Sequence, residues 1–231
     1  WSRLAPGLAA SGTFACRAMR LPGAGEPPAG AKAHGNLVAW RAAVDRELSY
    51  LRAGRRRVWI AGHSLGAALA LDAAFRRPDD VAGLVLFAPL VHVSSARLPF
   101  LPASWYFRLM WLALRPFGNP LVRTHLMKGT GAHARLAVQY PRDTREPLSV
   151  YTSLFRLIAG NDARRPLLRC PVRVFIAEHD HVVSSAAAGC WFARVSSPHA
   201  VTTVPGSGHV IPLEPSFASL VDPIASFVTA H

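Results

Sequence analysis

The sequence predicts an α/β protein, a mainly parallel sheet flanked by helices, with a helical cap inserted partway along the chain. Apolar runs of strand length alternate with helical periodicities, as crossover units of a parallel sheet require. Residues 81–88 are almost continuously apolar, which suits a strand buried on both faces. A Gly-His-Ser-Leu-Gly pentapeptide at 62–66 falls where one strand hands over to a helix.

Residues 14–19 form a short candidate strand, followed by the turn-rich Leu-Pro-Gly-Ala-Gly at 21–25 and a Pro/Gly loop to about residue 35. Over 37–51, Leu37, Trp40, Val44, Leu48 and Leu51 recur at steps of three and four, the spacing of one helix face. Residues 58–61 read as a strand, 64–75 as an Ala- and Leu-rich helix and 81–88 as a third strand. Further on, 172–177 and 200–204 read as strands, and 185–195 and 217–228 as helices. No internal repeat is present. The interruption at 90–147 carries Trp105, Leu109, Met110, Trp111 and Leu112 directly after a strand end, where insertions overlook the site. It is expected to be a cap, either holding an apolar group or simply covering the core. The expected organisation is therefore core 1–89, cap 90–147 and core 148–231.

The 231 residues suffice for one full hydrophobic core, and 51% apolar against 17% charged residues excludes disorder. The net charge of +13 comes from 24 Arg and only 2 Lys, without a basic stripe interleaved with stacking aromatics, so nucleic-acid binding is not expected. Arg76 and Arg77 instead close a helix, where cations suit the C-terminal dipole. Cys16, Cys170 and Cys190 are too widely spaced for a zinc site or a disulfide framework. The apolar run 109–114, between Arg108 and Arg115, is too short for a transmembrane span. A soluble, cytoplasmic protein is expected; no charged stretch followed by an apolar run of signal-peptide type opens the chain, and its N-terminus is expected to be processed or truncated.

The pentapeptide places Ser64 on a sharp strand-to-helix turn, with glycine on either side to relieve crowding. The helix N-terminus beneath it offers unpaired N–H groups, and the backbone N–H of Leu65 is the expected first oxyanion donor. A serine hydroxyl needs a base within reach. His209, in the Gly-rich loop Pro-Gly-Ser-Gly-His at 205–209, follows the last strand and is that candidate. Asp180, three residues past the strand 172–177, is the acid that would fix the imidazole tautomer. Glu178 is a competing acid. His179 and His181 flank Asp180, but without further regularly spaced ligands they do not make a metal site. No cofactor motif is present. His63 is the variable position of the pentapeptide, and His34, His92, His125, His133, His199 and His231 read as surface or loop residues.

These segments resemble the α/β-hydrolase superfamily, and within it the carboxylesterases and monoacylglycerol lipases. Residues 62–66 look like its nucleophile elbow, Asp180-His-Val-Val like its acid loop, and Gly208-His209-Val-Ile-Pro-Leu-Glu214 like its histidine loop. Residues 21–25 are similar to the loop ending its fourth strand, and the cap stands in the matching place. The resemblance implies two-step ester hydrolysis; the apolar cap motivates a small-molecule acyl ester, short- to medium-chain or monoacylglycerol-like, as substrate, and transient contact to a lipid surface is expected. The rivals are thioester, amide or C–C cleavage, acyl transfer, and a catalytically silent binding protein; the oligomeric state stays open. Dehalogenase and epoxide-hydrolase chemistry would need an Asp where Ser64 stands. The family's upstream His-Gly motif, which supplies a second oxyanion N–H, has no match here, nor has its third strand. The expectation is a chain lacking three N-terminal strands.

Overall fold

In the computed structural model the described residues are 4–10, 14–24, 35–54, 57–93, 103–114, 116, 118–123 and 145–231. Four strands make one parallel sheet in the order β1-β2-β5-β6: β1 Val58–His63, β2 Val81–Phe87, β5 Val172–Ala177 and β6 His199–Val204. Every described connection between neighbours in this sheet contains a helix, as a parallel return requires. These are α3 Leu65–Arg76 between β1 and β2, α5 Leu148–Arg164 between β2 and β5, and α6 Ser185–Phe192 between β5 and β6. Helices α1 Leu4–Ala10, α2 Leu37–Ala53 and α7 Val221–Ala230 complete the flanks.

Both sheet faces are covered, which explains the apolar run at 81–88. Leu84 and Leu86 point into one layer with Val44, Leu71, Trp191 and Phe192. Val85 and Phe87 point into the other with Phe175, Phe217, Leu220 and Ile224. Asn36 caps α2 by accepting the Ala39 N–H, and Ser184 caps α6 in the same way at Ala187.

Some elements differ from expectation. Residues 14–19 form no strand: with Val58 and Ile60 of β1 they line a cavity of about 910 Å³. An extended segment becomes a strand only where a neighbour takes up its N–H and C=O groups, and among the described residues β1 pairs with β2 alone. The closing helix is split into a 3₁₀ turn, Pro215–Leu220, and α7, because Pro215 opens the turn and Pro223 stands in the first turn of α7, each suited to a helix beginning. Helix α5 has no counterpart in the sequence-based reading. Its inner face carries Ser153 and Asn161 beside Leu148 and Leu157, and the two polar residues mask the apolar period.

Helix α5 is fastened to α3 by polar contacts. Asn161 Nδ2 donates to the Ala68 carbonyl at 2.8 Å. The carboxylate of Asp72, fully buried on α3, accepts from Arg41 at 2.6 and 2.9 Å, Arg76 at 2.8 Å and Arg164 at 2.9 Å. Burial works against the charge on Asp72, but the hydrogen bonds and charges of Arg41 and Arg76 outweigh it and hold the carboxyl below its ordinary value.

Between β2 and α5 lie the helix α4 Ala103–Leu114 and a short antiparallel pair, β3 Leu121–Arg123 with β4 Arg145–Pro147. Residues 94–102, 115, 117 and 124–144 of the expected cap lie outside the described residues, as does the loop 25–34. Helix α4 leaves Trp105, Leu109 and Leu112 about half exposed, one stripe at steps of four and three. No described helix is long and apolar enough to cross a membrane.

Candidate active site

The site begins with a strained residue. Ser64 follows the last residue of β1 and has φ 52° and ψ −113°, a backbone conformation that a residue with a side chain adopts only when its surroundings enforce it. Three backbone hydrogen bonds do so. The Ser64 N–H donates to the Phe87 carbonyl at 3.0 Å, and its own carbonyl accepts from Ala68 at 3.1 Å and Leu90 at 3.4 Å. Strands β1 and β2 and helix α3 thereby all grip the turn.

The turn closes tightly on one side only. A Cβ at position 62 would lie 2.5 Å from the Gly66 carbonyl group and 2.6 Å from the Ala67 nitrogen, so the strand must carry glycine there. A Cβ at position 66 would meet nothing within 4 Å. The expectation that both glycines relieve crowding holds for Gly62 and fails for Gly66, whose contribution is to have its backbone approached.

The structure brings Ser64, His209 and Asp180 together from three segments of the chain. His209 Nε2 lies 2.9 Å from Ser64 Oγ, and its Nδ1 lies 2.8 and 3.1 Å from the two oxygens of Asp180. A carboxylate only accepts, so Nδ1 carries the proton and Nε2 is left to accept from the serine hydroxyl. The side chains of His209 and Asp180 are 4% and 1% exposed, so the pair is screened from water. Burial pushes the Asp180 carboxyl up, yet the hydrogen bond and charge of His209, with the amides of Val183 and Val182, bring it below the ordinary carboxylate range. Asp180 is thus held ionised beside the imidazole.

Glu178 is placed otherwise. Its carboxylate is half exposed and accepts the Gly206 N–H at 2.7 Å, bracing the histidine loop from outside. The His179 N–H donates to the Ser207 carbonyl at 2.9 Å, a second tie between the acid and histidine loops. Glu214 accepts the Gly208 N–H at 3.1 Å. The histidine loop is therefore fixed at the three residues that precede 209. His199 sits against the Ser197 carbonyl and His231 against the Phe227 carbonyl, away from the site. His34, His125 and His133 lie outside the described residues. Among the described residues no group of three His, Cys, Asp or Glu side chains could hold a metal ion. Leu65 opens α3, so its N–H has no carbonyl partner one turn back within the helix.

Beside the elbow, Leu65, Leu90, Val93, Val182 and Val183 join an apolar cluster with Val150 and Leu154 of α5. Two contributions to the site escaped the sequence-based reading. Helix α5 supplies part of this cluster, and His63, read only as a variable position, has its Nε2 2.8 Å from the His209 carbonyl oxygen. Nothing in the pentapeptide signals the latter, because the carbonyl comes from 146 residues away.

A parallel sheet with a strained serine at one strand end, and a histidine and a carboxylate on later strand ends, defines a class of hydrolytic enzymes. The chain belongs to the alpha/beta hydrolase family, whose model matches residues 1–219. It is similar to a thermostable monoacylglycerol lipase of Bacillus sp. (strain H-257), with 23% identity over 193 residues, 83% of this chain and 70% of that protein. A structure from work on two metagenome-derived lipolytic enzymes, LipS and LipT, superposes with a TM-score of 0.74 at 20% identity, covering 99% of this chain and 86% of that one. A soluble variant of monoglyceride lipase from Saccharomyces cerevisiae, in complex with a substrate analog, superposes with a TM-score of 0.72 at 16% identity, covering 91% and 76%.

Proposed function

We propose that this chain hydrolyses carboxylic esters, with short- to medium-chain or monoacylglycerol-like acyl groups, through an acyl-enzyme on Ser64. The observation that carries the reading is the unbroken relay from Ser64 Oγ through His209 to Asp180, at 2.9 and 2.8 Å. In the first step Oγ attacks the acyl carbonyl as His209 Nε2 takes the hydroxyl proton. The oxyanion is met by the Leu65 N–H at the head of α3. The alcohol leaves with the proton from Nε2. Water then attacks the acyl-serine, again giving a proton to His209, and the acid departs as Ser64 recovers its hydrogen. Proton transfer by a positioned base contributes about 10²–10⁴ in rate, and each oxyanion donor about 10²–10³.

The acyl chain lies against the apolar cluster that includes Leu65 and Leu90, with residues 90–147 acting as the cap over it. The two core segments are 1–89 and 148–231. Residues 90–147 carry seven Arg and one Lys against one Asp and one Glu, and α4 exposes its Trp105, Leu109 and Leu112 stripe. An exposed apolar stripe with Arg108 on the same helix, within a segment of net positive charge, suits transient contact with an anionic lipid surface, from which such esters are drawn. The lipase relatives support the substrate class.

The test is hydrolysis of p-nitrophenyl butyrate and octanoate, together with labelling by a fluorophosphonate. Turnover and labelling are both expected, and both should vanish in Ser64→Ala. A folded chain that turns over no acyl ester and takes up no label would overturn the reading.

A further inference from the structure

We propose that His63 is a positioning residue for the base, pinning the main chain of His209 to the elbow so that imidazole and serine keep their spacing. The inference rests on the reading of Ser64 and His209 as nucleophile and base. His63 ends β1, is in register with Phe87 of β2, and immediately precedes Ser64. Its backbone is therefore as fixed as that of the nucleophile. Its Nε2 lies 2.8 Å from the carbonyl oxygen of His209 itself. A carbonyl only accepts, so His63 Nε2 carries a proton and donates.

The other ties of the histidine loop run elsewhere. Gly206 is held by Glu178, Ser207 by His179, and Gly208 by Glu214, so these bonds join the loop to the acid loop and to its own downstream side. The His63 bond joins it to the strand that carries the nucleophile. The two rings also pack, with centroids 5.0 Å apart and planes at 53°, so His63 forms a wall beside the imidazole. One side chain thus sets both the height of the His209 backbone above the sheet and a boundary to the swing of its ring.

The test separates donor from bulk. His63→Phe keeps an aromatic wall without a donor, and His63→Gln restores an N–H at similar reach. The kcat for p-nitrophenyl butyrate is expected to fall by about 10-fold or more in His63→Phe, up to about 10²-fold, because sub-ångström misplacement of a base is costly. KM should hardly move, and His63→Gln should recover most of the rate at an unchanged Tm. If His63→Phe does not fold, His63→Gln is compared with His63→Asn, whose shorter amide falls short of the carbonyl and should be the slower. Full activity in folded His63→Phe, or a folded Gln variant no faster than the Phe or Asn variant, would overturn the proposal. Nitrogen-15 NMR of the imidazoles in Ser64→Ala reads the bond without any turnover: His63 is expected to carry a proton on Nε2, and an Nε2 without one would overturn the proposal. The hydrogen bond and the esterase reading can thus fail separately.

Discussion

Replacing Gly62 by alanine sets a methyl group against backbone atoms that cannot rotate away. The new Cβ would stand 2.5 Å from the carbonyl carbon and oxygen of Gly66, and ordinary contact begins at 3.4 Å. Strand β1 and the first turn of α3 must therefore separate by roughly 0.9 Å, and Ser64 is the residue that joins them. A displacement of about 1 Å at a reacting group costs about 10² in rate. We expect kcat/KM for p-nitrophenyl butyrate to fall about 100-fold in Gly62→Ala, with slower fluorophosphonate labelling. Overpacking of this kind costs about 1–3 kcal/mol, or about 2–12 °C in Tm for a chain of this size. Gly66→Ala is the internal control. Its Cβ enters open space, so the helix start is stabilised by about 0.4–1 kcal/mol and activity stays near that of the wild type. Near-normal kcat/KM in Gly62→Ala, or equal losses in the two variants, would refute the reasoning.

Asp180→Asn should lower kcat about 10⁴-fold by losing control of the imidazole tautomer, while Glu178→Gln keeps an acceptor for Gly206 and should change kcat little; steady-state kinetics of the pair decides which carboxylate serves His209. Asp72→Ala leaves three guanidinium groups without their shared carboxylate and should cost about 3 kcal/mol in urea unfolding at pH 7, the low end for a buried pair because the arginines keep 23–34% exposure. Because the folded Asp72 carboxyl is held low, its contribution is present above the unfolded value of about 3.9 and is lost as pH falls through the folded one. The gap between wild type and variant should therefore narrow on acidification below about pH 4, and a gap that widens there would contradict the assignment. Leu109→Glu with Leu112→Glu should weaken cosedimentation with phosphatidylglycerol vesicles, and undiminished binding would remove α4 from the lipid-contact reading.

Much of the site was legible because its chemistry is tied to local order along the chain. A pentapeptide between a strand and a helix, a carboxylate just past one strand and a histidine in a Gly-rich loop past another can be recognised without coordinates, since parallel strands deliver their ends to one edge. Asp180 was preferred for its place past the strand and its loop's resemblance to the family, with Glu178 as a competitor, and their different partners emerge only when the acid and histidine loops meet. Helix α5 was hidden because Ser153 and Asn161 face inward, where Ser153 Oγ accepts the Leu37 N–H and Asn161 Nδ2 donates to the Ala68 carbonyl, both far away in the chain.

What the sequence by itself determined was the alternation of strands and helices and the identity of Ser64, His209 and Asp180 as candidates, because periodicity and turn chemistry act over a few residues. Only the tertiary structure decided that residues 14–19 form no strand, that Gly62 and not Gly66 is sterically required, and that His63 reaches the His209 carbonyl. Each of these depends on a neighbour distant in sequence or on the distance of closest approach, and neither quantity is encoded in local pattern.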